Sequence, residues 1–201
     1  MTEGHFDTKR ARLLDSEERI KELRPQRLLT QLAGITEGMT CIDLGCGTGT
    51  FSLPMAYCVG SKGIVYAIDD SAEMLQHIRA KNPPPNLRLV HRDAGQTGLD
   101  SQIADFCLLA FILHEVKQPD ILMSEVSRLL KPEGKVLVVE WKANLDSPGP
   151  PRNIRLSQSH VEQLFKQVDF SRFTYIDWTN NHYVATAVKR RDCSEFVGLS
   201  T

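Results

Sequence analysis

The sequence contains no hydrophobic segment long enough to cross a membrane. Its longest apolar run is Phe106 to Leu113, whereas a membrane-spanning helix needs ~20 apolar residues. The stretch from Met1 to Arg12 is polar and lacks the apolar centre of a secretion signal. We therefore expect a soluble, cytoplasmic protein without stable membrane insertion.

Neither sign of charge is in excess. The 201 residues contain 24 Lys and Arg and 25 Asp and Glu, for a net charge of -1 at pH 7. Nucleic-acid-binding proteins usually carry a basic face that meets the phosphate backbone, so we expect no nucleic-acid partner. The hydrophobic fraction of 41% is ordinary for a globular protein, and the length predicts a single domain over residues 1–201.

Cysteines are few and do not form a recognisable framework. The five cysteines cannot all pair within one chain, and they lie mostly in apolar segments. No close pair is followed by a second pair at the spacing of a zinc site. We expect reduced, packed thiols and no bound metal.

Short β-prone runs alternate with segments of helical periodicity along the chain. Two short helices within about residues 8–34 precede the first strand, Lys131–Gly134 is a predicted break, and residues 190–201 form a predicted flexible tail. This alternation predicts an α/β fold with a doubly wound, mostly parallel seven-stranded sheet, whose final hairpin adds an antiparallel strand at one edge. The predicted strands are Met39–Leu44, Gly63–Ile68, Leu87–His91, Ala104–Leu113, Lys135–Trp141, Arg172–Trp178 and His182–Val188.

A glycine-rich turn follows the first predicted strand. In Asp43-Leu44-Gly45-Cys46-Gly47-Thr48-Gly49, three glycines alternate where the chain turns into a helix. Without Cβ atoms the backbone can approach a ligand, and the next helix N-terminus offers unpaired N–H groups. A tight turn without a ligand explains the glycines alone, but Asp69 and Asp93, after the second and third strands, favour a nucleoside site.

With these acids in place, the chain resembles the class I S-adenosylmethionine-dependent methyltransferases, and in detail the small-molecule branch that contains the ubiquinone and menaquinone C-methyltransferases. The resemblance covers about Leu28 to Lys189 and departs from that branch at Glu133, where a glycine is usual. It implies a Rossmann-like methyltransferase fold, S-adenosyl-L-methionine as cofactor and a small-molecule acceptor. The segments that carry it are Asp43–Gly49, Ala67–Ser71 with Glu73–Leu75, Arg92–Ala94, Ala104–Phe106, Leu113–Glu115 and Leu130–Gly134.

The resemblance also implies which residues hold the cofactor. The main chain of Gly45 and Gly47 would lie against its methionyl and ribose part, with Asp43 near the amino group. Asp69 would accept from the ribose hydroxyls, which suits a carboxylate and a vicinal diol. Residues 70, 74, 93 and 94 would surround the adenine; a helix cap, a core methionine and a solvated acid are the alternatives for 70, 74 and 93. The full set is Asp43, Gly45, Cys46, Gly47, Thr48, Gly49, Asp69, Asp70, Met74, Asp93, Ala94, Ala110 and Phe111.

Acceptor chemistry is expected where the fourth strand ends, because open parallel sheets bind ligands at the carboxyl ends of their strands. His114 is the predicted general base, with Glu115 orienting it or acting alone; packing or substrate positioning is the alternative for His114. His5–Asp7 would close over the cofactor as a lid, with a disordered terminus as the alternative. The predicted acceptor-binding residues are Trp141, Lys142 and Arg152, and a solvated loop charge is the alternative for Lys142 and Arg152.

Two other functions share the glycine turn. A cofactor-binding module without catalysis would contain the same turn and cannot be separated from an enzyme by sequence. A nicotinamide-dependent oxidoreductase needs its third glycine three residues after the second, a position that Thr50 occupies here. Spacing therefore disfavours the oxidoreductase.

Overall fold

The computed structural model describes residues 11–146 and 149–191, which form a mixed sheet with helices on both faces. The strands are β1 (Thr40–Leu44), β2 (Ile64–Asp69), β3 (Leu87–His91), β4 (Ala104–Ala110), β5 (Leu130–Trp141), β6 (Phe170–Asp177) and β7 (His182–Lys189). The first five are parallel, and the sheet order is β3-β2-β1-β4-β5-β7-β6. This order confirms the predicted doubly wound, mostly parallel, seven-stranded sheet.

The helices cover the two faces unequally. The helices are α1 (Ala11–Leu14), α2 (Glu17–Leu23), α3 (Pro25–Arg27), α4 (Ser52–Val59), α5 (Ala72–Ala80), α6 (Pro119–Leu129) and α7 (Gln158–Gln167), with a π-helical turn at Leu28–Ala33 and a 3-10 turn at Arg152–Ile154. Residues of α2, the π-helical turn, α4 and α5 join one buried cluster, and residues of α6 and α7 join the other.

The start of the chain contains more elements than the two short helices predicted. Arg24 adopts the left-handed conformation at φ 49°, which ends α2 and lets Pro25 open α3. The π-helical turn then ends at Gly34, whose φ is 72°. Leucine spacing revealed helical character, but it does not distinguish an α-helical from a π-helical turn.

The fourth strand ends earlier than its apolar run predicts. The run continues to Leu113, but β4 ends at Ala110 because Phe111 takes a left-handed φ of 61°. The N–H of Phe111 still donates to the Val139 carbonyl at 2.9 Å, after which the chain leaves the sheet. The predicted span Ala104–Leu113 is therefore corrected to seven residues.

The fifth strand begins earlier than predicted. Helix α6 ends before the predicted break at Lys131–Gly134, but these four residues belong to β5 and do not precede it. Leu130 pairs with Ala104, and an irregularity in register separates this pair from the regular ladder that follows. Glu133, in this stretch, has a φ of 64°. A bulge thus accommodates the proline and glycine without ending the strand.

The final two strands form the predicted hairpin. Strand β7 runs antiparallel to both β5 and β6, so the reversed strand lies one position inside the edge. This places the start of β7 beside the end of β5, where Trp141 pairs with His182. The carboxyl edge of the sheet therefore receives a residue from β7.

The extent of the domain remains a prediction. The proposed lid His5–Asp7 and most of the proposed tail lie outside the described residues. In the part of the chain that the structure describes, no helix is long and apolar enough to cross a membrane.

Candidate functional site at the carboxyl edge of the sheet

The glycine turn joins β1 to α4 through three left-handed glycines. The φ angles of Gly45, Gly47 and Gly49 are 69°, 53° and 84°. The N–H groups of Gly45 and Cys46 both donate to the Ile68 carbonyl at 2.9 Å, which ties the turn to β2. These glycines therefore serve the backbone path that the sequence predicts.

Gly45 is also needed for packing. A Cβ at this position would lie 2.5 Å from Cδ1 of Ile112. We expect Gly45→Ala to lower the free energy of unfolding by about 2–4 kcal/mol, from left-handed strain and overpacking. Gly98 is the matched control, since its φ is 72° but a Cβ would meet nothing within 4 Å.

For Gly98→Ala we expect only the backbone cost, about 1–2 kcal/mol. Urea denaturation of both variants measures the difference. Equal losses in the two variants would contradict the packing role of Gly45.

Asp69 connects the end of β2 to the glycine turn. Its Oδ2 accepts from the Gly47 N–H at 2.8 Å, and its Oδ1 accepts from the Ser71 N–H at 2.9 Å. Burial raises the pKa of Asp69, while these two hydrogen bonds oppose the shift. Each carboxylate oxygen accepts one N–H and retains capacity for another donor. The carboxylate is thus fixed in position and still able to bind a diol.

Asp43 lies beneath the turn and is 1% exposed. The Ser52 hydroxyl at the start of α4 donates to its Oδ2, whereas its Oδ1 has no hydrogen-bond partner among the described residues. Burial raises the pKa of Asp43 to about 7, with the Ser52 bond opposing and Asp69 reinforcing the shift. An unpaired buried acceptor at this place fits a ligand that carries a donor such as an ammonium group.

The α1–α2 connection is fastened over the other side of the turn. Asp15 accepts from the Thr48 hydroxyl at 2.8 Å and pairs with Lys81 at 2.7 Å. Lys81 also donates to the Thr48 carbonyl at 2.8 Å. Asp15 and Lys81 were not among the predicted site residues, because nothing in the sequence links two residues so far apart to the turn. Thr48 therefore contributes to this clamp.

The residues predicted to surround adenine lie on two loops. Met74 is buried in α5, and the Asp70 side chain is exposed. Asp93 is also exposed, and its Oδ1 accepts from the Gly95 N–H at 2.8 Å. Ala94 is 9% exposed. Both loops follow neighbouring strands, so the fold brings these four residues to one edge of the sheet.

His114 is held by a buried carboxylate that the site prediction did not include. Its Nδ1 lies 2.8 Å and 3.0 Å from the two Glu140 oxygens, and its main-chain N–H also donates to Glu140. Glu115 Oε1 lies 3.8 Å from Nε2. The available signal for Glu140 was an acid that directly follows the apolar run of β5.

The pKa of His114 reflects opposing effects. Burial lowers it, but the hydrogen bond and charge of Glu140, with a smaller contribution from Glu115, raise the pKa above its ordinary value. Burial raises the pKa of Glu115, and the positive charge of His114 opposes that shift. The His114–Glu140 pair has the arrangement of a base oriented by a carboxylate.

Aromatic side chains cluster at the ends of β4, β5 and β7. The Phe111, Trp141 and His182 rings contact one another, with centroid distances of 5.9 Å, 5.1 Å and 4.2 Å. The Arg19 guanidinium lies over the Phe111 ring, 5.0 Å from its centroid. Phe111 and Trp141 were predicted site residues, and His182 was missed because its place depends on the β5–β7 pairing.

The two charged residues predicted for the acceptor wall, Lys142 and Arg152, lie in different surroundings. Lys142 pairs with Asp177 at 3.1 Å, and Arg152 is exposed on the 3-10 turn. The buried arginine beside Trp141 is instead Arg155, 5.4 Å from the ring centroid. It donates to the carbonyls of Lys142, Leu145 and Pro150 at 3.3 Å, 3.1 Å and 2.9 Å.

Two further predicted cofactor residues, Cys46 and Ala110, differ in burial. Cys46 is 7% exposed, and burial raises the pKa of its thiol. Ala110 is half-buried at the end of β4. Across residues 11–146 and 149–191, no group of three His, Cys, Asp or Glu side chains is placed to hold a metal ion.

Comparison with known proteins covers the same region. Residues 42–138, close to half of the chain, match the family model of a methyltransferase domain. The demethylmenaquinone methyltransferase of Staphylococcus aureus strain MRSA252 is 34% identical over 108 residues, which are 53% of this chain and 45% of that protein. The match therefore spans less than half the length of these curated relatives.

Solved structures extend the likeness to most of the chain. A SAM-dependent methyltransferase from Aquifex aeolicus is 26% identical, with a TM-score of 0.83 over 92% of this chain and 100% of that one. Phosphoethanolamine N-methyltransferase 2 of Haemonchus contortus was solved with phosphomonomethylethanolamine and S-adenosylhomocysteine. It has a TM-score of 0.71 over 84% of this chain and 52% of that one. Because its sequence identity is 17%, this match shows a shared fold alone. By its glycine turn, its sheet order and these matches, the chain is similar to S-adenosylmethionine-dependent methyltransferases, in sequence over residues 42–138 and in fold over 92% of its length.

Proposed function

We propose that this chain binds S-adenosylmethionine at the glycine turn and transfers the methyl group to a small-molecule acceptor. The observation that carries the proposal is Asp69, whose two oxygens are fixed by the Gly47 and Ser71 N–H groups. A carboxylate held in this way accepts from two neighbouring hydroxyls without first having to be ordered. Asp69 then binds the ribose of the nucleoside.

Other residues complete the cofactor site. Asp43, with an unpaired oxygen under the turn, binds the amino group of the methionyl part. Met74 supplies an apolar contact to the adenine, and the loop at Asp93 and Ala94 supplies polar contacts. Because the loop geometry at Asp93 is already fixed by its bond to Gly95, its second carboxylate oxygen stays available to a ligand.

The methyl acceptor binds beyond the end of β4. The bound cofactor supplies an activated methyl group, so the protein's main tasks are alignment and exclusion of water. His114 removes a proton from the acceptor, and Glu140 holds the ring in place and stabilises the protonated form. Glu115 sits at the other nitrogen, 3.8 Å away, and supports the same charge.

The acceptor is a small organic molecule, and no nucleic acid takes part. Trp141 forms an apolar wall, and the balanced charge of the chain supplies no broad basic face. The staphylococcal relatives are named demethylmenaquinone methyltransferases, so demethylmenaquinone is the first acceptor to test. We also propose a cytoplasmic location, which the free thiols of Cys41, Cys46, Cys58 and Cys107 support.

Transfer of a labelled methyl group tests the proposal. The protein is incubated with tritiated S-adenosylmethionine and a panel of phenols, quinols, amines and thiols, and label in the acceptor is counted after separation. We expect turnover with at least one acceptor, and none with Asp69→Ala. Tight binding of S-adenosylhomocysteine without turnover of any acceptor would instead support the non-catalytic module.

A further inference from the structure

The imidazole of His182 has one satisfied and one unsatisfied nitrogen. The residue is 3% exposed. Nδ1 lies 2.9 Å from the Thr179 hydroxyl oxygen and 3.4 Å from Glu22 Oε1. Nε2 is buried and has no hydrogen-bond partner within the described ranges. Buried polar atoms without a partner are rare in proteins, and each calls for a ligand or another explanation.

The surroundings of Nδ1 determine which nitrogen carries the proton. Thr179 Oγ1 accepts from the main-chain N–H groups of Asn181 and His182 at 3.1 Å and 3.0 Å, and its own proton points to Glu22 at 3.2 Å. Because that hydroxyl already accepts two N–H groups, the lone pairs that Nδ1 faces are those of the Glu22 carboxylate at 3.4 Å, which favours a proton on Nδ1. Nε2 is then a bare hydrogen-bond acceptor.

The ring also stays neutral. Burial lowers the pKa of His182 to about 4, and only Glu22 opposes this among the groups that shift it. The charged groups that lower it further are Arg19, Arg155 and Lys142. A neutral ring keeps the lone pair on Nε2 throughout the physiological pH range.

Nε2 belongs to an apolar, aromatic part of the carboxyl edge. The His182 ring packs against the Trp141 and Phe111 rings at 4.2 Å and 5.1 Å between centroids. Trp141 follows Glu140 directly, so their side chains leave β5 on opposite faces. His114 contacts Glu140 and His182 lies beside Trp141, so the two histidines approach the end of β5 from opposite sides. A single acceptor among aromatic rings is the usual composition of a small-molecule pocket.

The Arg19 side chain lies over this aromatic cluster. Its guanidinium is 5.0 Å from the Phe111 ring centroid and donates to the Leu14 carbonyl at 3.1 Å. Burial lowers the pKa of Arg19 to about 10, with Asp15 and Glu22 opposing the shift. A partly buried guanidinium gains hydration when it swings outward, and this movement would open the space beside the rings.

We propose that Nε2 of His182 accepts a hydrogen bond from a hydroxyl of the methyl acceptor, which packs against Phe111 and Trp141 after Arg19 moves aside. This assignment rests on the proposed methyl transfer, because it places the acceptor at the same strand ends. It makes His182 a residue that selects acceptors with a donor group. A pocket with a bare acceptor rejects molecules that leave it unpaired.

Two substitutions separate recognition from packing. In His182→Asn the amide reaches only the position of Nδ1, and in His182→Gln it reaches the position of Nε2. The probes are 1-naphthol and 1-fluoronaphthalene, which have similar shapes. 1-Naphthol has a hydroxyl that can donate a hydrogen bond, and 1-fluoronaphthalene has no donor. Affinities are measured by NMR titration, with and without S-adenosylhomocysteine.

We expect wild type and His182→Gln to prefer 1-naphthol by about tenfold, and His182→Asn to show less than about twofold preference. The His182 Nε2 nitrogen-15 resonance of wild type should shift on addition of 1-naphthol and not of 1-fluoronaphthalene, which needs no variant to fold. An unchanged preference in His182→Asn, or none in wild type, would overturn the assignment. Absence of S-adenosylhomocysteine binding would overturn the proposed function instead. The ratio of the affinities for 1-naphthol and 1-fluoronaphthalene, measured without S-adenosylhomocysteine, would still decide the role of His182.

Discussion

Asp69→Ala is expected to lower the affinity for S-adenosylhomocysteine by about 100-fold or more. The substitution removes two hydrogen bonds to a charged acceptor, each contributing about 1.5–3 kcal/mol. It also releases the Gly47 N–H, which donates to Asp69 at 2.8 Å and fixes the turn. Isothermal titration calorimetry measures the loss.

Asp120→Ala is the matched control for this loss. The Asp120 side chain is exposed, and its hydrogen bond with Ser124 uses the main-chain carbonyl, which alanine keeps. We expect less than about fivefold weakening in this control. Asp69→Asn retains one acceptor oxygen and should fall between the two. Equal affinities of wild type and Asp69→Ala, with both folded, would refute the role of Asp69.

His114→Gln is expected to reduce kcat by about 10²- to 10⁴-fold, the usual contribution of a general base. Glutamine can still accept or donate near Glu140 but does not take up a proton at neutral pH. Binding of S-adenosylhomocysteine should stay within about threefold of wild type, because His114 contacts Glu140 and not the glycine turn. A kcat near that of wild type would leave His114 with a packing role only.

The pH dependence follows from the same pair. A base must be neutral to act, so the rate should rise with pH as His114 loses its proton, above the ordinary histidine pKa. Glu140→Gln removes the carboxylate whose hydrogen bond and charge contribute most to raising the pKa of His114, so burial then lowers that pKa. We expect both the rate profile and the NMR titration of His114 to move to lower pH.

Glu115→Gln is the control for this shift. Its carboxylate is 3.8 Å from Nε2, and its side chain is 42% exposed, so its charge is better screened. We expect a displacement in the same direction but smaller than in Glu140→Gln. A larger shift in Glu115→Gln would assign the orienting role to Glu115 instead.

Local patterns were sufficient to predict the sheet and the turn. Strand β3 has the predicted bounds, and Gly45, Gly47 and Gly49 form the predicted turn. Such features depend on nearby residues, because side-chain periodicity and glycine backbone freedom are set locally along the chain. Three glycines in alternation likewise define the turn wherever the rest of the chain lies.

Features set by long-range contacts could not be predicted in this way. The end of β4 depends on the left-handed Phe111, and apolar character alone does not reveal a φ angle. Glu140 is recognisable as functional only once β4 and β5 lie side by side and His114 reaches it. His182 needs the antiparallel β5–β7 register that sets it opposite Trp141.

Calorimetric titration of the unmodified protein with S-adenosylhomocysteine and with NADH tests the central claim most directly. Asp69 and the left-handed glycines predict binding of S-adenosylhomocysteine with an affinity in the micromolar range and no heat from NADH. Binding of NADH in the absence of any response to S-adenosylhomocysteine would contradict the account.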